Sequence, residues 1–98
     1  MVEYQFSGQE FKFDDNDPLF VISIVSELVH IPIWTLRKLD DHGIVKAQRM
    51  GKKTRCYSKN QLKKLTYIYH LMENKGVNIK GIKVILELDE EGEDIDHE

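Results

Sequence analysis

The stretch Ile22-Ser23-Ile24-Val25-Ser26-Glu27-Leu28-Val29-His30-Ile31-Pro32-Ile33-Trp34-Thr35-Leu36-Arg37-Lys38-Leu39-Asp40-Asp41-His42-Gly43 decides the fold of this chain of 98 residues. Val25, Leu28 and Val29 fall at helical spacing behind Ser23, whose hydroxyl suits an N-cap, and this predicts a short helix over Ser23–Val29. His30-Ile31-Pro32 interrupts it, because proline disfavours helical geometry in the residue before it yet fits the first turn of a new helix. A second helix then spans Ile33–Asp41 and closes at His42-Gly43, where glycine accepts the left-handed C-terminal conformation. Two short helices joined by a tight turn outline a helix-turn-helix.

Beyond this pair, Ile44–Arg49, Met50–Lys53 and Thr54–Tyr57 read as extended, turn, extended, a β-hairpin with a basic tip around Gly51. Ser58-Lys59-Asn60-Gln61 matches a capping box and predicts a third helix that ends at Gly76, with Leu62, Leu65, Ile68, Tyr69 and Met72 as its apolar stripe. Asn78 is placed to cap a fourth helix from Ile79 to about Leu88. Its Ile79, Ile82, Ile85 and Leu86 form an amphipathic face. On the other side, residues 1–17 alternate briefly at Phe11 and Phe13, turn at Asp14-Asp15-Asn16-Asp17, and are expected to form a loosely attached acidic arm. Residues 89–98 carry seven acids and are expected to be disordered. The organisation predicted is an arm over 1–17, one mostly α-helical domain with a short hairpin over 18–88, and an acidic tail.

The net charge of −3 hides a segregation along the chain. Met1–Leu36 holds one lysine against six acids, Arg37–Lys64 holds ten basic residues against Asp40 and Asp41, and Leu65–Glu98 holds three lysines against nine acids. The middle block alone therefore carries +8, enough to attract phosphate from within a net-negative chain, although a solvated lysine-rich surface is the plain alternative. Ninety-eight residues support one core of modest stability, so a helix face left over would gain by packing on a second copy. No apolar run is long enough to span a membrane and no basic-then-apolar leader opens the chain, so a cytoplasmic location is expected. The single cysteine, Cys56, cannot form an internal disulfide and agrees with a reducing compartment.

The blocks Ile22-Ser23, Glu27-Leu28, Thr35-Leu36-Arg37, Gly43-Ile44-Val45, Arg49, Thr54-Arg55-Cys56-Tyr57-Ser58, Gly76-Val77-Asn78-Ile79 and Gly81-Ile82-Lys83-Val84-Ile85-Leu86 resemble the DNA-binding domain of MerR-type transcriptional regulators, in residues and in spacing. The opening around Ile22–Leu28 and the ending around Gly76–Leu88 are most similar to the HspR, or heat-shock repressor, branch, and GlnR-type regulators share the second of these. The resemblance covers about Pro18 to Leu88. It implies a winged helix-turn-helix with its second helix in the major groove and its hairpin wing on the backbone, bound as a dimer to an inverted repeat. It also implies repression of chaperone operons with DnaK as co-repressor. The chain departs from the pattern at Pro32-Ile33-Trp34, where the proline is shifted by one position, at Leu39-Asp40, and at Lys52-Lys53, where relatives carry paired glycines. The long antiparallel dimer helix of the metal- and drug-sensing members has no counterpart, so a ligand sensor is not expected.

Candidate DNA contacts follow from the cations and the two helices. Arg37 with Lys38 on the second helix, and Arg49, Lys52, Lys53 and Arg55 on the wing, suit phosphates and base edges. Thr35 can touch a base or pack inward, and Tyr57 can donate to phosphate or pack on the third helix. Trp34 can meet a sugar or a thymine methyl, or fill the core or a partner contact, and burial is the preferred reading. Dimer contacts are assigned to Ile79, Ile82, Ile85 and Leu86. The four histidines lie far apart with no second ligand at zinc-like spacing, so no metal is expected; no cofactor is expected either, and no nucleophile, base and orienter come together for catalysis. Cys56 reads as a small buried thiol. Two other functions fit the same residues: an excisionase-like protein that bends DNA, and an interaction module that titrates a full-length regulator.

Overall fold

The computed structural model describes residues 2–6 and 9–93, with side chains described from Phe13 to Asp89. Strands β1 (Val2–Phe6) and β2 (Gln9–Phe13) pair antiparallel, β3 (Phe20–Val21) leads into α1 (Ile22–Val29), and α2 (Ile33–Asp41) follows. Next come β4 (Gln48–Met50), β5 (Thr54–Tyr57), α3 (Lys59–Asn74) and α4 (Ile79–Glu93). The second sheet has the order β3-β5-β4, so the architecture is a mostly helical winged helix-turn-helix, as expected.

α1 and α2 are set against each other by their turn. α1 begins without a side-chain cap, after Val21, which corrects the assignment of Ser23 as N-cap: the helix starts one residue earlier and Ser23 lies inside it. The reason is β3, whose pairing with β5 (Phe20 opposite Tyr57, Val21 opposite Cys56) delivers the chain extended up to Val21. At the far end His30 takes the left-handed conformation at φ 60° and its amide donates to the Ser26 carbonyl at 2.9 Å. The Ser26 hydroxyl in turn donates to the Ile31 carbonyl at 2.6 Å. Pro32 then precedes α2, and its carbonyl accepts from the amides of Thr35 and Leu36, both at 3.0 Å. Gly43, at φ +72°, closes α2 as anticipated and turns Ile44 and Val45 back so that both amides reach the Leu39 carbonyl.

Val25, Val29, Ile31, Leu36, Leu39, Ile44, Val45, Tyr57, Leu65, Ile68 and Ile82 make one core. Burying each aliphatic side chain stabilises by roughly 1.5–3 kcal/mol before entropy is counted. α3 starts at the predicted capping box: the Gln61 amide donates to Ser58 Oγ at 3.1 Å and the Ser58 amide to Gln61 Oε1 at 2.9 Å. Gln61 Nε2 also donates to the Lys46 carbonyl at 2.6 Å, which ties the approach to the wing to the start of α3. α4 is capped by Asn78, whose Oδ1 accepts from the Gly81 amide at 2.9 Å, and runs to Glu93, five residues past its expected end. Residues 94–98 of the acidic tail lie outside the described residues. Within the arm, the β1–β2 pair was not anticipated, because only Phe11 and Phe13 signalled alternation there. The turn at Asp14–Asp17 forms, and the Asn60 amide and side chain donate to the Asp15 carbonyl (3.1 Å) and Asn16 Oδ1 (2.7 Å).

Candidate nucleic-acid interface

α2 is oriented by what it buries. Thr35, Leu36 and Leu39 face the core, which leaves Trp34, Arg37, Lys38 and Asp41 exposed on the opposite side at i, i+3, i+4 and i+7. Trp34 is 65% exposed, the most exposed of the large hydrophobic side chains described. Lys38 Nζ stands 5.9 Å from its ring centroid, a helical i, i+4 contact between a cation and an aromatic face.

The wing is fastened to this helix through Asp40. Arg49 and Arg55 are directly opposed across β4 and β5, so both side chains leave the hairpin on one face. Two like charges so placed repel, and Asp40 offsets this: Arg55 Nε donates to its Oδ2 at 2.8 Å, and Arg49 Nη2 lies 3.8 Å from the same oxygen. Arg55 Nη2 also approaches Asp41 Oδ1 at 3.7 Å. The hydrogen bond to Asp40 raises the Arg55 pKa above its already high ordinary value, so the guanidinium is permanently charged. Beneath this group, burial first and the Asp40 charge second push the Tyr57 phenol up to about 12, against the pull of Arg55, Arg49 and Arg37. Three arginines, from α2, β4 and β5, therefore act on one phenol. At the hairpin tip Lys52 and Lys53 are exposed beside Gly51, whose φ of +69° makes the tight turn.

Trp34, Arg37 and Lys38 on α2 and Arg49, Lys52 and Lys53 on the wing are thus all exposed, on two elements that Asp40 joins. The structure corrects or decides five other expectations. Burial of Trp34 is overturned, because the rotation set by Thr35, Leu36 and Leu39 turns it outward. Thr35 is 3% exposed and Tyr57 0%, so neither can touch a base or a phosphate; Thr35 packs beneath α2 and Tyr57 fills the core under the wing. Arg55, with its side chain 17% exposed, is engaged by Asp40 and Asp41 and positions the wing. The dimer face also fails as drawn, since Ile82 is 0% exposed in the core and Ile79 and Leu86 pack against that core, while Ile85 is half-buried. What α4 leaves outward is Val84 and Leu88.

Lys46 and Lys64 border a shallow polar pocket with Asn16 and Asn60, and Lys59 and Lys63 are exposed on α3. Asp40 is the functional residue the sequence reading missed, although an acid among ten cations was a visible signal. Cys56 is buried, as expected. Among the described residues no group of three or more His, Cys, Asp or Glu side chains could hold a metal ion, and no described helix is long and apolar enough to cross a membrane.

Residues 20–89 match the family described as MerR HTH family regulatory protein. The chain is 32% identical over 79 residues to the heat shock protein HspR of Streptomyces coelicolor, covering 81% of this chain and 52% of that relative. It is 35% identical over 69 residues to the HTH-type transcriptional regulator GlnR of Bacillus anthracis and equally to that of Bacillus cereus, covering 70% of this chain and 53% of each relative. The chain spans about half the length of these curated relatives. With a helix-turn-helix whose outward face and wing are cationic, and with that match across the same residues, the chain belongs to the MerR family of DNA-binding transcriptional regulators and is HspR-like within it.

Proposed function

We propose that the protein is a repressor of stress or chaperone genes that binds an inverted repeat as a homodimer. In this reading α2 enters the major groove, Arg37 and Lys38 meet phosphates or base edges, and Arg49, Lys52 and Lys53 hold the flanking backbone. The observation that carries it is that Arg37 and Lys38 on α2 and Arg49, Lys52 and Lys53 on the wing all stay exposed, with Asp40 joining wing to helix, beside a solvent-facing Trp34. Exposed cations on one helix face and the adjoining wing attract a polyanion even in a net-negative protein. Nine residues of α2 span about 13 Å and reach only a few base pairs, so a second copy on an inverted repeat would lengthen the sequence read. The stress-gene target rests on the likeness to the heat shock protein HspR; a DnaK-type chaperone as co-repressor is proposed on the resemblance of the sequence to that branch alone.

The test is to recover genomic DNA bound by the purified chain and read it for a recurring inverted repeat. Enrichment upstream of chaperone genes, with one protected site per operator, supports the reading. Tandem arrays of sites on bent DNA would favour an architectural role instead. Lys53→Glu with Arg49→Glu should abolish binding, and a function that survives this change would point to a module that titrates another regulator.

A further inference from the structure

Trp34 is not explained by electrostatics. A tryptophan 65% exposed is unusual, and this one stands at the start of a helix whose other outward residues are Arg37, Lys38 and Asp41. A neighbourhood of cations is ill suited to an apolar protein partner and well suited to nucleic acid. Lys38 Nζ lies over one face of the indole, 5.9 Å from the ring centroid, a cation–π contact that leaves the other face and the ring edge to whatever α2 meets. In the major groove the base edges are hydrogen-bonding groups with one apolar exception, the C5-methyl of thymine. An aromatic side chain presented to that groove gains by covering this methyl, and loses by burying the polar edge of any other base.

We infer that Trp34 is a specificity-determining residue that reads a thymine methyl group in each half-site. The inference rests on the proposed docking of α2 in the major groove and deepens it by naming the base feature recognised. Arg37 and Lys38 supply attraction to phosphates or polar base edges, and Trp34 supplies the part of the choice that depends on an apolar group.

The test starts from duplexes selected by the purified full chain from a random library. In the best site each thymine is replaced in turn by deoxyuridine, which deletes the methyl and keeps every hydrogen-bonding group. Binding is followed by fluorescence anisotropy at fixed salt. Replacement at one symmetry-related position per half-site should weaken binding by about fourfold for each methyl removed, the value of one buried methylene-sized group. Trp34→Ala should bind the thymine and deoxyuridine duplexes equally, whereas Lys53→Ala, which weakens binding through the backbone, should keep the fourfold discrimination. Undiminished discrimination by Trp34→Ala, or selected sites in which no thymine methyl matters, would overturn the inference while leaving DNA binding intact. Failure to bind any duplex would overturn the docking of α2 and this inference together.

Discussion

Replacing Tyr57 by phenylalanine should make the protein more stable. The side chain is 0% exposed, and its hydroxyl is the buried side-chain polar atom without a hydrogen-bond partner among the described residues. An unsatisfied buried hydroxyl costs roughly 1–3 kcal/mol, and phenylalanine keeps the ring while removing that group. The vacated space loses some packing, so the expected net gain is about 1–2 kcal/mol. For a domain of this size that is a rise of roughly 4–16 °C in Tm, measurable by calorimetry and by urea unfolding with an unchanged slope. Affinity for DNA should not change, because the hydroxyl cannot reach a phosphate. Alkaline pH sharpens the comparison. The folded phenol titrates at about 12, above its ordinary value of 10.0, because burial and then Asp40 oppose its ionisation. The unfolded chain therefore releases this proton first, and the stability of the neutral phenol, fully present below pH 10, is lost as pH rises from 10 through 12. The slope approaches about 1.4 kcal/mol per pH unit, and the phenylalanine variant lacks it. Its advantage should widen over that window. A lowered midpoint in Tyr57→Phe, or parallel alkaline curves for the two proteins, would refute the reasoning and indicate that the hydroxyl is hydrogen-bonded in solution.

Three further outcomes are expected. Asp40→Asn removes the charge shared by Arg55 and Arg49 and leaves only Asp41 to offset their repulsion, and should lower stability by about 1.5–3 kcal/mol in urea titrations; a loss below about 0.5 kcal/mol would mean that Asp41 and the neutral amide suffice. Ser58→Ala removes the acceptor for the Gln61 amide and should cost about 1 kcal/mol, with protection of the first turn of α3 against hydrogen exchange falling in step. If the dimer neutralises about 6–10 phosphates, affinity should fall about 10³- to 10⁵-fold between roughly 50 and 200 mM salt, and a flat response would contradict the docking of α2 and the wing.

Periodicity and caps made most of the fold legible. α2 and its closure at Gly43, the capping box at Ser58 and the Asn78 cap are local features, decided within a few residues, and they stand where the sequence puts them. The start of α1 was missed because it depends on β3 pairing with a strand 35 residues further on, and a two-residue strand has too little periodicity to announce itself. The site was legible in its charge and less so in its orientation. Arg37, Lys38, Arg49, Lys52 and Lys53, the proposed contacts, are exposed and came from the cationic block, but which side of α2 faces outward depends on tertiary packing, and this turned Trp34 outward and settled Thr35 inward. Tyr57 and Ile82 were misassigned for the same reason: an aromatic beside arginines and an apolar helix face do not say whether the covering surface belongs to the same protomer.

The two-residue pairing of β3 with β5 has a mechanical meaning. It roots the hairpin in the very segment from which the first helix of the helix-turn-helix starts, while Asp40 clasps the hairpin to the end of the second. The spacing between α2 and the wing is thereby fixed within the fold, and under the proposed docking accommodation would fall on the nucleic acid, which would have to bring groove and backbone to a gauge the protein already holds.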